Sequence, residues 1–158
     1  MLRLSRRLLA LAYDPTQMQQ MNEHQLLLVD KSDKIIGTAS KYEAHQISTA
    51  QLHRAFSLFV FNHDKSKLLL QKRSPEKITF PELWTNTCCS HPRNSPDEVG
   101  GVDGVILAAQ RRLLYEMNMD LTATQLSERE VKFLTKIMYR GDSCETWVEK
   151  EMDYGRGP

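Results

Sequence analysis

Gly100-Gly101-Val102-Asp103-Gly104-Val105-Ile106-Leu107-Ala108-Ala109-Gln110-Arg111-Arg112-Leu113-Leu114-Tyr115-Glu116-Met117 is the stretch of this chain with the clearest period. After its glycine-rich start, Ile106, Ala109, Leu113 and Met117 fall on one face, which predicts a helix over Gly104–Met117. Strand-like runs flank it on both sides. Upstream, Gln25–Asp30 reads as a buried strand closed by the polar turn Lys31–Lys34. Arg54–Phe61 and Lys67–Gln71 read as two further strands joined by a hairpin loop at Asn62–Ser66. Downstream, Val131–Tyr139 and Thr146–Tyr154 alternate as sheet strands do. Between them, Lys72–Val99 is rich in Pro, Ser, Thr, Asn and Cys and has no period, which is the mark of a functional loop. Strands alternating with a helix, without repeats, predict an α/β chain of the α+β kind.

The chain has 158 residues, enough for one ordinary domain. Hydrophobic residues are 41% and charged residues 26%, a globular composition that excludes disorder and collagen. Lys and Arg number 21 against 20 Asp and Glu, and a net charge of +1 argues against general nucleic-acid binding. No apolar run approaches a membrane span. Cys88, Cys89 and Cys144 are too few for a disulfide framework and fit a reducing, intracellular compartment. Residues 1–20 read as an extension ahead of a domain at 21–158. Its start carries Arg3, Arg6 and Arg7 with leucines at helical spacing. That is the composition of a mitochondrial targeting segment and equally of a short basic helix packed on its own domain.

Three clusters could carry chemistry. Thr87-Cys88-Cys89-Ser90-His91-Pro92 suits a nucleophile, an acid/base pair or a metal site, and equally a structural loop with a buried thiol. Glu149-Lys150-Glu151 puts two carboxylates on one strand face, where they repel unless a cation or protons lie between them. A solvated face is the plainer reading, but His45, His53 and His91 would complete a nitrogen and oxygen set suited to zinc or manganese. Glu116, one turn after Arg112, forms an ordinary helical ion pair or holds a cation.

Taken together the motifs become specific. Leu52-His53-Arg54-Ala55-Phe56-Ser57, Leu69-Leu70-Gln71-Lys72-Arg73-Ser74, Lys77-Ile78-Thr79-Phe80-Pro81, Thr85 through Pro92, Ala108 through Leu113, and Trp147 through Asp153 closely resemble the type I isopentenyl diphosphate isomerases, in order and approximate spacing, from about residue 24 to residue 154. The resemblance implies a Nudix-like α/β/α sandwich with a mixed sheet. It also implies the interconversion of isopentenyl and dimethylallyl diphosphate, a monomer acting on a small isoprenoid diphosphate, and a cytoplasmic or peroxisomal location.

Residue by residue, it implies a Zn²⁺ or Mn²⁺ held by His45, His53, His91, Glu149 and Glu151. Cys89 and Glu151 would be the two acid/base groups, with Tyr139 beside the glutamate. Glu116 would hold a Mg²⁺ that also binds the diphosphate, and Lys41, Arg73, Lys77 and Arg112 would surround it. The chemistry suits these types: shifting a double bond needs one proton added and another removed, with the diphosphate kept intact as a handle.

Departures accompany the match. Glu82 follows Pro81 where the family usually has Gly, and Asn118-Met119 replaces a Gly-containing turn. The family continues past Tyr154 with further strands and helices, whereas this chain reads Gly155-Arg156-Gly157-Pro158. The expectation is therefore a domain incomplete at its C-terminus, with the Thr146–Tyr154 strand as an exposed edge and weak catalysis. The alternatives are a non-catalytic relative that keeps metal or diphosphate binding, and a Nudix-type pyrophosphatase. The latter is disfavoured because only Glu116 of the usual acidic helix cluster is present.

Overall fold

The computed structural model describes residues 13–120 and 131–157. The basic segment at residues 1–12, with its targeting or helical reading, lies outside the described residues. The elements in chain order are α1 (Pro15–Glu23), β1 (Gln25–Val29), β2 (Ile35–Ser40), α2 (Lys41–His45), β3 (His53–Leu58), β4 (Gln71–Lys72), β5 (Trp84–Thr85), β6 (Cys88–Ser90), α3 (Gly101–Met117), β7 (Lys132–Asp142) and β8 (Val148–Gly157).

One mixed sheet organises them in the order β2-β1-β3-β8-β7, with β6 also pairing β3. Its centre is the parallel pair of β3 and β8, and the other pairings are antiparallel. This is the mixed α/β architecture expected from the sequence. Leu26, Leu27, Leu28 and Val29 are all buried, so β1 reads as a continuous apolar run. On one side, α3 packs Val105, Ala108, Ala109 and Leu113 against Phe56, Leu58, Cys88, Met152 and Tyr154. A smaller cluster joins Met21 of α1 to Ile78 and Trp147.

The structure corrects four local expectations. The buried face of α3 centres on Gly104, Val105, Ala108, Ala109 and Leu113, one position round from Ile106, because small residues let the helix approach the sheet closely. Lys67–Gln71 does not form a strand. Phe61 and Leu68 make an isolated bridge, Leu68, Leu69 and Leu70 stay exposed, and Gln71–Lys72 pairs instead with Trp84–Thr85. Cys88–Ser90, expected in the irregular segment, is a strand because it adds to the edge of β3 beneath α3. Finally, β8 runs on to Gly157 and lies inside the sheet between β3 and β7. Among the described residues the outer strands of that order are β2 and β7, and β7 leaves Phe133, Leu134, Ile137 and Met138 in contact with solvent.

Each of the two internal departures from the family pattern contains a residue with left-handed backbone. Glu82 has φ +60° and Asn118 has φ +52°. Asn118 caps α3 there, a role asparagine accepts readily. Glu82 has no such affinity for the conformation, and among the described residues its carboxylate makes only an exposed pair with Lys72 at 3.8 Å.

Candidate active site and metal centre

The register of three strands builds the site. His53 of β3 lies opposite Glu151 of β8, and Glu151 lies opposite Tyr139 of β7. Directly opposed residues share a face, so these three side chains form one row across the sheet. A slip of one residue in any pairing would send a member to the other face.

Two short elements add the remaining rings. Ser40 and Glu43 form a reciprocal capping box that starts the single helical turn α2. That turn carries Lys41 and His45 four residues apart on one face. His91 follows β6 immediately. Period two in β6 also separates its cysteines: Cys88 enters the core under α3, and Cys89 lines the cavity.

Ligand atoms of His45, His53, His91 and Glu151 lie within 4.8 Å of one another, and all four residues are buried. The Nε2 atoms of His91, His53 and His45 approach Glu151 Oε1 at 3.0, 3.6 and 3.9 Å. The Nδ1–H of His45 donates to the Lys41 carbonyl and that of His53 to the Gln51 carbonyl, each at 2.8 Å. In a neutral ring the Nε2 lone pair of each then faces a carboxylate oxygen, acceptor against acceptor. Burial and the neighbouring histidines hold His45 well below its ordinary range. Burial likewise pulls His91 down to about 4, against the opposing pull of Glu151. The rings of His45 and His91 are therefore neutral at neutral pH, the form that binds metal. His53 Nε2 is buried without a hydrogen-bond partner. A divalent ion between the nitrogens and Glu151 satisfies every one of these atoms, so the residues present fit a metal.

Glu149 stands beside this group and is not one of the four. Its Oε1 accepts from Thr79 Oγ1 and its Oε2 from Tyr139 Oη, both at 3.0 Å. The Tyr139 hydroxyl also approaches Glu151 Oε2 at 2.7 Å. Glu151 thus turns one oxygen to the histidines and the other to the phenol. Burial and the charge of Glu151 push Glu149 up, and burial with both carboxylates pushes Tyr139 up as well. Asp153, next on the same face, is raised to about 6 by burial although Ser57 donates to it at 2.8 Å.

All of these groups except His53 line a cavity of about 440 Å³ that also receives Lys41, Arg73, Lys77, Arg112 and Glu116. Glu116 takes hydrogen bonds from Arg112, from Lys77 at 3.4 Å, from Gln71 at 3.3 Å and from the Cys88 thiol at 3.6 Å. Burial raises its pKa, but Arg112 and Lys77 outweigh that and leave it lowered. Lys41 is brought down to about 8 by burial and by the repulsion of Arg112 and Lys77. Arg73 holds the Thr79 carbonyl with two nitrogens, at 3.1 and 2.8 Å, and reaches Cys89 Sγ at 3.7 Å. Burial raises Cys89 to about 11, since Arg73 offsets only part of it, so the group is a thiol at neutral pH.

No family model matches the chain. Among curated proteins it is 47% identical over 150 residues to the isopentenyl-diphosphate delta-isomerase of Gibberella zeae, covering 90% of this chain and 58% of that one. Over that span the chain is similar to the isopentenyl-diphosphate isomerase family. Family members from Bos taurus, at 45% identity, and Schizosaccharomyces pombe, at 43%, match 89% and 90% of this chain and 63% and 64% of their own. The chain thus spans about three-fifths of the length of these isomerases. A crystal structure of DR0079 from Deinococcus radiodurans shares the fold, with a TM-score of 0.54 at 17% identity over 84% of this chain and 70% of that one.

Each residue singled out for the isomerase site from the sequence lies in or beside this cavity. Thr79, Ser57 and Asp153 were not assigned a part. Asp153 had a legible signal, since it shares the period-two face of Glu149 and Glu151. Among the described residues, no helix is long and apolar enough to cross a membrane.

Proposed function

We propose that this chain interconverts isopentenyl and dimethylallyl diphosphate. The observation that carries the reading is the convergence of three imidazoles on one oxygen of Glu151, while its other oxygen meets Tyr139, in a cavity that also holds Cys89 and four cationic side chains. Similarity at 43–47% identity to curated proteins named as this isomerase supports it.

Lys41, Arg73, Lys77 and Arg112 would grip the diphosphate through charge-assisted hydrogen bonds. Binding energy from this remote handle orients the five-carbon end, which offers little to hold by itself. His45, His53, His91 and Glu151, with Glu149 adjacent, would hold the Zn²⁺ or Mn²⁺, and Glu116 a Mg²⁺ at the diphosphate. When bound, these ions supply positive charge, the first beside the acid/base carboxylate and the second against the diphosphate.

The remaining steps belong to the chain. The reaction adds one proton at one carbon and removes one from another, so its two acid/base groups exchange protonation states. Cys89 Sγ is one of them and the Glu151 carboxylate the other. The Tyr139 hydroxyl bridges Glu149 and Glu151 and would orient the carboxylate at that end. The alkene is a feeble base, and the cation it forms must be kept from water. No group attacks phosphorus, and the diphosphate leaves intact.

Incubating the purified chain with isopentenyl diphosphate, Mg²⁺ and Zn²⁺ in deuterated water tests this. Proton NMR should show dimethylallyl diphosphate with deuterium in its methyl group, and Cys89→Ala should abolish it. Absence of exchange in the metal-loaded chain would refute the reading, and release of inorganic phosphate would favour a pyrophosphatase.

A further inference from the structure

The three imidazoles are not held alike. His45 and His53 each have Nδ1 on a main-chain carbonyl, which fixes the ring and its tautomer. His91 meets Glu151 through Nε2 at 3.0 Å, and among the described residues its ring makes no second hydrogen bond. Its position therefore depends on the main chain that carries it.

That main chain is gripped from α3. Arg111 makes a bidentate pair with the buried Glu98, at 2.6 and 2.8 Å, and the same Nη2 donates to the His91 carbonyl at 3.3 Å. Glu98 Oε2 in turn accepts the backbone N–H of Arg93 at 2.7 Å. The peptide groups on both sides of Pro92 are thus tied to one ion pair. Asn94 N–H donates to the Gln25 carbonyl at 3.2 Å and anchors the far end on β1. The close approach of α3 needs Gly104, because a Cβ there would lie 2.3 Å from the Glu98 carbonyl oxygen. Burial opposes the charge on Glu98, but Arg111 and the Arg93 N–H outweigh it and keep the carboxylate ionised.

We infer that Arg111 and Glu98 are positioning residues for the metal centre, a clamp that sets His91 at the distance where its ring completes the ligand group. The inference rests on the metal reading of that cluster. Outer partners of metal ligands govern affinity because a ligand must be held within about 0.5 Å of its productive place.

The test measures Zn²⁺ and Mn²⁺ affinity of the purified chain by competition with a chromophoric chelator. Arg111→Lys keeps the charge but loses the fork, and Glu98→Gln keeps the shape but loses the charge. Each should weaken metal binding about 10–100-fold in folded protein, as other outer-partner substitutions do. Val105→Ala, in the same helix and its core, should lower stability and leave metal affinity unchanged. In metal-free protein, hydrogen exchange at the Arg93 amide should accelerate in Glu98→Gln. Parental metal affinity in both clamp variants, or an equal loss in Val105→Ala, would overturn the positioning role alone. Failure of the unsubstituted chain to bind either ion would overturn the ligand assignment itself. In that case accelerated exchange at Arg93 would still establish the clamp as a fastening of the loop.

Discussion

Gly104→Ala is the most exacting test of the packing of α3 against the Glu98 segment. In an exposed helix this change would stabilise by about 1 kcal/mol, because alanine is the better helix former. Here the new methyl would meet Glu98 main-chain atoms at 2.3 and 2.5 Å, well inside the 3.0 Å that real contacts respect. Backbone cannot swing aside as a side chain can, so α3 or the Glu98 segment must move bodily. Overpacking of this kind costs about 1–3 kcal/mol, and a contact this short belongs at or above the upper end. The net expectation is a loss of about 2 kcal/mol, or a fall of about 1 M in the urea midpoint. Urea unfolding followed by circular dichroism measures it. A variant as stable as the parent, or more so, would refute the claimed proximity of α3 to Glu98.

His91→Ala should remove most of the bound metal, and elemental analysis showing full occupancy would exclude this ligand. Cys89→Ala should abolish isomerisation with metal content preserved. Cys88→Ala, which removes a buried thiol from the core and from Glu116, should instead cost stability while retaining most activity in the proton-exchange assay. Lys41 is charged below about 8 and loses its charge above it, so pyrophosphate binding should weaken as pH rises through that value. Calorimetry across this range should show the dependence vanish in Lys41→Met, and a pH-independent affinity in the parent would contradict it. Glu82→Gly should relieve the left-handed backbone and stabilise by about 0.5–1 kcal/mol, read from thermal unfolding.

The parts of the fold legible in the sequence were those governed by neighbours along the chain. β1 is legible because both its faces are buried, whereas β8 is buried along most of its length and shows no period-two alternation of burial. On α3 the sequence places Ala109, Leu113 and Met117 correctly against the core and errs at Ile106, since hydrophobicity favours Ile106 whereas close packing favours Gly104, Val105 and Ala108. The capping box of Ser40 and Glu43 was a local signal that went unread, and it is what aims His45. The row His53, Glu151, Tyr139 is a matter of register between distant strands, which no spacing reveals. Family resemblance supplied those residues, but not the contacts that hold them, such as Thr79 on Glu149 and Glu98 on Arg111.

The parallel pairing of β3 with β8 has a consequence during synthesis. His53 waits for Glu151, whose codon lies almost one hundred positions downstream. At about 5–20 residues per second, β3 spends roughly 5–20 s on the ribosome with one edge unsatisfied. Joining strands so far apart carries a large loop-closure cost and places this step late in folding. The three histidines are all translated long before the carboxylate that would share their ion. An ion captured early by the imidazoles alone would have to survive, or be exchanged, when β8 inserts. Assembly of a metal-holding cluster would thereby be coupled to the docking of β8, and metal supply would become a determinant of how much protein completes this sheet.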